Sequence, residues 1–278
     1  MNYFRLMQTT PDVLHKIEAS ERKGVFSEHL DPIDYSNSLP VDENYKYVLK
    51  GHQRRKYTRE DWFIVKPFSY IVNRHFLRTK VTGRKNMRGI KSAIVTCNHV
   101  NKLDALACMH ALKGHRFKVT VADFNNQKGR LGELMRAAGI MPLSSSLSAM
   151  RNFNKSISYY LKKGTYILFF PERAEWWCYE KPRPYMDGAY HYAIVNHVPV
   201  LPVFITFNKT GHYYDNGIEK RQFIVNILEP IYPDYTLSKK DNVAYMKKKN
   251  YELCKNKYEE FYGKKLEYSC GKINNPNK

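Results

Sequence analysis

Cysteine is scarce here and falls into no framework: Cys97, Cys108, Cys178, Cys254 and Cys270 are scattered through 278 residues. No pair has the Cys-x-x-Cys spacing of a zinc knuckle or a dithiol redox motif. An odd, unpatterned set fits a reducing, cytosolic compartment better than a disulfide-stapled secreted fold. Long apolar runs are also missing. No stretch reaches the roughly 18 uncharged apolar residues that a membrane span needs. The opening MNYFRLMQTTPDVLHK has no apolar core of signal-peptide length. A chain of this kind meets a membrane by lying on it. Acidic residues are in deficit, 26 against 46 Lys and Arg, which leaves a net charge of +20. A field of that sign draws nucleic acid, an anionic membrane leaflet or phosphorylated substrates. The signatures of an RNA recognition motif, a zinc finger and a helix-turn-helix are lacking, so nucleic acid is not an expected partner. Internal repeats and low-complexity tracts are absent as well.

What is present suffices for a packed core. Hydrophobic residues make up 43% and aromatics 14%, with 22 tyrosines among them, so wholesale disorder is excluded. By length the chain is one large domain or two small ones. Residues 1–58 read as a polar N-terminal arm, rich in turn formers, that wraps the main body. Residues 59–79, centred on DWFIVKPFSYIVNRHFLRTK, read as an amphipathic helix with Pro67 near its start or at a kink. Trp62, Phe63, Val65, Phe68, Tyr70, Ile71, Val72, Phe76 and Leu77 give it a broad greasy surface, with Lys66, Arg74 and Arg78 spaced through it. It suits a membrane interface and equally an ordinary core-packed helix. Residues 80–235 alternate short strands (93–97, 118–122, 166–170, 200–206, 222–227) with helices (104–112, 129–138, 149–161, 188–195). That alternation predicts an α/β fold with a mostly parallel central sheet flanked by helices. Residues 236–278 read as a basic C-terminal helix, 238–262, and a tail.

The chemistry is concentrated at strand ends, where active sites of such sheets gather. In SAIVTCNHVNKLDALAC, a β-branched run ends at Asn98-His99, and Asp104 opens the next helix. An aspartate holding one imidazole nitrogen protonated leaves the other free to take a proton from a hydroxyl. His29 and Asp34 share the spacing, but His29 lies in a polar, proline-containing loop, and that pair reads as coincidence. In GTYILFFPERAEWWCYEKPRP, a strand delivers Glu172 and Arg173 at its tip, and Lys181 and Arg183 follow within one loop. Cations clustered there suit a phosphate, and a structural ion pair between Glu172 and Arg173 suits the residues equally. HVPVLPVFIT places Pro199 and Pro202 around the start of a buried strand.

In this order the three segments resemble the glycerol-3-phosphate and lysophosphatidic acid acyltransferases, over about residues 81–229. Asn98, His99 and Asp104 match the family's Asn-His-x-x-x-x-Asp motif in full. Of its Phe-Pro-Glu-Gly-Thr-Arg motif, Phe170, Pro171 and Glu172 match, while Arg173, Ala174 and Glu175 replace the rest. Val198 to Val203 match its Val-Pro-Val-x-Pro-Val strand. The resemblance implies a glycerol-3-phosphate acyltransferase-like fold and transfer of a fatty acyl group from a thioester to a lysophospholipid hydroxyl. The acceptor it points to is 1-acyl-sn-glycerol-3-phosphate, giving phosphatidic acid. Asp104 would orient His99, and His99 would deprotonate the acceptor. Asn98, Glu172, Arg173, Lys181 and Arg183 would bind substrate, with Arg151 standing in for the arginine of a second family motif. No metal and no bound cofactor are implied. Acyl-CoA or acyl-[acyl-carrier-protein] is the co-substrate, and the enzyme would sit peripherally on the cytoplasmic face of an anionic membrane. The departures in the third motif leave room for a glycolipid or polyol acceptor, and for Trp176, Trp177 and Tyr179 to stack on a sugar or line an acyl path. A non-catalytic membrane-binding or nucleic-acid-binding protein is the remaining alternative.

Overall fold

The computed structural model describes residues 9–33 and 35–270. The arm holds helix α1 (Pro11–Lys23), then an irregular crossing, then α2 (Gly51–Glu60). Helical backbone continues from α2 through a π-helical turn (Asp61–Val65), α3 (Lys66–Ile71) and a second π-helical turn (Val72–Phe76). The remaining order is β1 (Lys80–Thr82), β2 (Ala93–Cys97), α4 (Asp104–Ala111), β3 (Arg116–Val121) and α5 (Gly129–Ala137). Then come β4 (Ile140–Pro142), α6 (Leu147–Lys162), β5 (Thr165–Phe169), α7 (Gly188–Val195), β6 (Val200–Tyr213), β7 (Glu219–Ile227) and α8 (Lys239–Tyr262).

The seven strands form one sheet in the order β1-β7-β6-β2-β5-β3-β4. Every neighbouring pair is parallel except the β6–β7 hairpin, so the sheet is mostly parallel as the alternation predicts. In β2, Ala93, Val95 and Cys97 pack on one face with Ala107, Cys108 and Ala111 of α4. Ile94 faces the other layer, formed by Phe153 and Ile157 of α6, Tyr190 of α7 and Met246 and Tyr258 of α8. Side chains alternate along a strand, so a strand covered on both faces must be apolar throughout, which is why AIVTC is uninterrupted. Only Val200–Val203 of β6 pair with β2, and the rest of β6 continues beyond the sheet edge, paired with β7 alone.

The arm is less extended than its composition suggests. Thr10 accepts the Val13 N–H, Pro11 begins α1, and Gly24 ends it at φ 70°, in line with the usual start and stop residues of a helix. Val13, Ile17 and Phe26 pack against Trp176, Trp177 and Tyr179 in a third apolar cluster. The Trp176 indole donates to the Glu28 carbonyl at 3.1 Å. These aromatics are therefore buried as the arm's docking floor and are not a surface for a sugar or an acyl chain.

The second helical run also begins inside the segment read as arm. Pro67 has no N–H to continue an α-helical ladder. The π turn before it closes with Lys66 N–H on the Asp61 carbonyl, and the helix passes through the proline in helical conformation. Its inner stripe is narrow: Val65, Ser69, Val72 and Asn73 are buried. Ser69 and Asn73 both bond the Leu106 carbonyl of α4. The large apolar side chains face outward, with Trp62 62% and Phe63 77% exposed.

Trp176 is fully buried between arm and loop. Trp176→Ala is expected to cost about 3–5 kcal/mol and to open residues 9–33 to protease. Denaturant titration and limited proteolysis check this, and a fully protected arm in the variant would contradict the docking account.

Candidate active site

The site lies at the carboxyl end of β2, where the strand gives way to the turn 98–103. Asn98 extends the β2–β6 ladder with its side chain: Oδ1 accepts the Ile205 N–H at 2.8 Å, and Nδ2 donates to the Ile205 carbonyl at 3.0 Å. Asn98 is thus a buried latch on β6, not a substrate ligand. It fixes where the next residue, His99, leaves the sheet.

Asp104, at the start of α4, is completely buried. Its Oδ2 accepts the N–H groups of Val100 and Asn101 at 2.6 and 2.8 Å and lies 3.0 Å from His99 Nδ1. An oxygen that already takes two backbone donors is an acceptor toward the ring as well, so Nδ1 carries the proton and Nε2 is the free lone pair. The imidazole stacks on Phe170 with centroids 4.1 Å apart, which holds the ring plane. Burial pushes the His99 pKa down to about 4, while 23% of the side chain stays open. The ring is therefore neutral in the resting site. Burial also pushes the Asp104 carboxyl up, opposed by the Asn101 and Val100 N–H groups.

Beneath the histidine lies a buried ion pair. Arg183 and Glu172 are both fully enclosed, 2.8 Å apart, and Glu172 Oε2 also accepts the His99 N–H at 3.2 Å. The guanidinium donates to the carbonyls of Phe26, His99 and Ala174 and lies 4.7 Å over the Trp176 ring. This differs from the sequence expectation of a cation open to phosphate. Arg183 has its donors committed to protein, and the partner of Glu172 is Arg183 instead of Arg173. Lys181 is likewise committed, to Glu21 of α1 at 2.6 Å. Arg173 is exposed and holds a left-handed backbone at φ 73°, a conformation that glycine adopts freely and other residues adopt at a cost. Arg151 is exposed near the start of α6. Among the described residues no ion pair or hydrogen bond of its side chain ties it to those around His99, although Phe153 and Ile157 of the same helix pack in the layer against β2.

Two residues lie near His99 to which the sequence reading gives no role. Glu175 lies on the same loop, and its carboxyl, pushed up to about 7 by burial, acts through space on His99. Its proximity follows from Trp176 N–H bonding the His99 carbonyl at 3.0 Å, a loop closure with no signature in spacing. The arm brings the second, His29. Burial, followed by the charges of Arg173, His99 and Arg183, lowers its pKa. Asp34, its counterpart in the coincidental pair, lies outside the described residues.

The acyltransferase family model matches residues 78–206. An uncharacterised acyltransferase of Schizosaccharomyces pombe is 26% identical over 159 residues, 55% of this chain and 56% of its own length. The chain therefore spans about half the length of that curated relative. The crystal structure of the 1-acyl-sn-glycerophosphate (LPA) acyltransferase from Thermotoga maritima superposes with a TM-score of 0.53 at 19% identity. That match covers 78% of this chain and 86% of that one, and it is a likeness of fold.

A base works only when deprotonated, so a pKa held down to about 4 keeps His99 competent far into the acid range. In Glu175→Gln, which removes the carboxyl pushed up to about 7 beside His99, kcat/KM for acyl transfer is expected to stay level from pH 8 down to about pH 5, below the usual histidine range of ~6.5. An acid limb centred at 6.5 or above would count against a buried, neutral His99.

Proposed function

From a chain whose residues 78–206 match the acyltransferase family model, we infer an enzyme that moves a fatty acyl group from a thioester donor to a hydroxyl of a lysophospholipid-like acceptor. The observation that carries this reading is the His99–Asp104 pair, with Nδ1 held at 3.0 Å and Nε2 free at the carboxyl edge of the sheet. Nε2 takes the acceptor proton as its oxygen attacks the thioester carbonyl. The tetrahedral adduct collapses with cleavage of the C–S bond, and the proton on Nε2 passes to the departing thiolate. Ester and free thiol are the products, and the base is regenerated. Asp104 holds the tautomer and stabilises the transient imidazolium. Acyl-CoA and acyl-[acyl-carrier-protein] both suit a chain of net charge +20 as anionic donors. The first acceptor to assay is 1-acyl-sn-glycerol-3-phosphate, the substrate in the name of the Thermotoga protein. A glycolipid or polyol acceptor is the second reading, favoured by the commitment of Arg183 to Glu172.

The same reading puts the enzyme on a membrane surface. Among the described residues no helix is long and apolar enough to cross a bilayer. The 51–76 run instead exposes Trp62, Phe63, Phe68, Tyr70 and Ile71 beside exposed Arg54, Arg55 and Arg59. An outward apolar face flanked by arginines suits the headgroup region of an anionic leaflet on its cytoplasmic side.

His99→Ala is expected to lower kcat by about 10²–10⁴ with the fold retained, in a radiolabelled acyl-transfer assay with both donor types. Undiminished transfer in a folded variant would falsify the mechanism. Trp62→Ser with Phe63→Ser is expected to abolish co-sedimentation with vesicles containing anionic phospholipid. Wild-type binding by the double variant would move the docking face elsewhere.

A further inference from the structure

Three of the cations around His99 are already matched within the protein, and Arg173 is exposed on the rim of the site beside His29. Arg183 is paired with Glu172, Lys181 with Glu21, and Lys102 with Asp31 at 3.2 Å. The carboxylates are not all matched. Glu175 sits between Ala174, whose carbonyl takes a bond from Arg183, and Trp176, whose N–H is bound to the His99 carbonyl. The loop is thereby strapped along the histidine, and the Glu175 carboxyl lies within electrostatic range of His99, Asp104, Asp31 and Lys102. Its Oε1 finds no hydrogen-bond partner within the protein, while the residue as a whole is only half-buried and open on one side. Buried acceptors are normally met by donors.

A guest that brings a donor fits this place. A phosphomonoester does not: at neutral pH it carries a charge of about −1.5 to −2 on acceptor oxygens, and it would meet a carboxylate where a cation is needed. An uncharged hydroxyl brings both a donor and no charge.

We propose that Glu175 sets acceptor specificity, accepting a hydrogen bond from an uncharged hydroxyl next to the reacting one and disfavouring a phosphomonoester at that position. The substrate class is a monoacylated polyol. This rests on the acyl-transfer reading and narrows it.

The test compares 1-monoacylglycerol with 1-acyl-sn-glycerol-3-phosphate of the same chain length, at pH 8, for wild type and Glu175→Gln. Wild type is expected to have the higher kcat/KM with monoacylglycerol. Glu175→Gln removes the charge in the same shape. It is expected to shift the preference about tenfold toward the phosphate acceptor, mainly through KM, the scale of one nearby like charge. A melting curve checks that the variant folds, and the wild-type preference stands as a test without it. Wild-type preference for the phosphate acceptor, or a preference ratio unmoved in folded Glu175→Gln, would overturn the assignment and leave acyl transfer intact. Transfer to neither acceptor with either donor would instead bring down the acyl-transfer reading, and the Glu175 assignment with it.

Discussion

Two opposite charges with no access to water, Glu172 and Arg183, hold the working parts of this protein in register. Moving such a pair out of water costs several kcal/mol per ion, and attraction alone does not reliably offset that. Here the remaining valences are filled. The carboxylate takes the His99 and Arg183 N–H groups, and the guanidinium reaches the carbonyls of Phe26, His99 and Ala174. One side chain therefore touches the arm, the histidine and the loop that carries Glu175. Phosphate binding would require Arg183 to abandon these partners and leave Glu172 buried alone.

The electrostatics divide by distance. From afar the chain is strongly basic, with a net charge of +20, a field that draws anions of any kind. At the reacting centre the balance reverses, because Asp104, Glu172 and Glu175 gather around one histidine with Arg183 as their buried counter-charge. The long-range field and the local field at His99 therefore arise from different residues.

The central strands were legible in the sequence because a strand buried on both faces must be apolar throughout, as AIVTC and TYILF are. The three-residue strands β1 and β4 carry no such pattern, and neighbouring strands hold them in place. Helix α1 escaped the sequence reading although Thr10, Pro11 and Gly24 bound it, because its polar surface masks an apolar stripe, Val13 and Ile17, that Trp176 and Trp177 complete. Similarly, His99 and Asp104 could be paired because a strand end and a helix start fix their relation locally. Glu172 and Arg183 are joined by a loop that turns back on itself, and no periodicity announces which cation returns. Arg173, adjacent to the glutamate in sequence, is exposed on a left-handed backbone and pairs with neither Glu172 nor Glu175.

The arm's attachment gives the chain an order of assembly. Phe26 meets Arg183 across 157 residues of sequence, so a segment made early has no seat until the loop around residue 183 has emerged. At about 5–20 residues per second that interval is roughly 8–30 s. Throughout it Val13, Ile17 and Phe26 lack the tryptophans that later cover them. The strand end bearing His99 also lacks the cation that bonds its carbonyl. A nascent chain held short of residue 183 would carry both His99 and Asp104 without the buried charge that supports them.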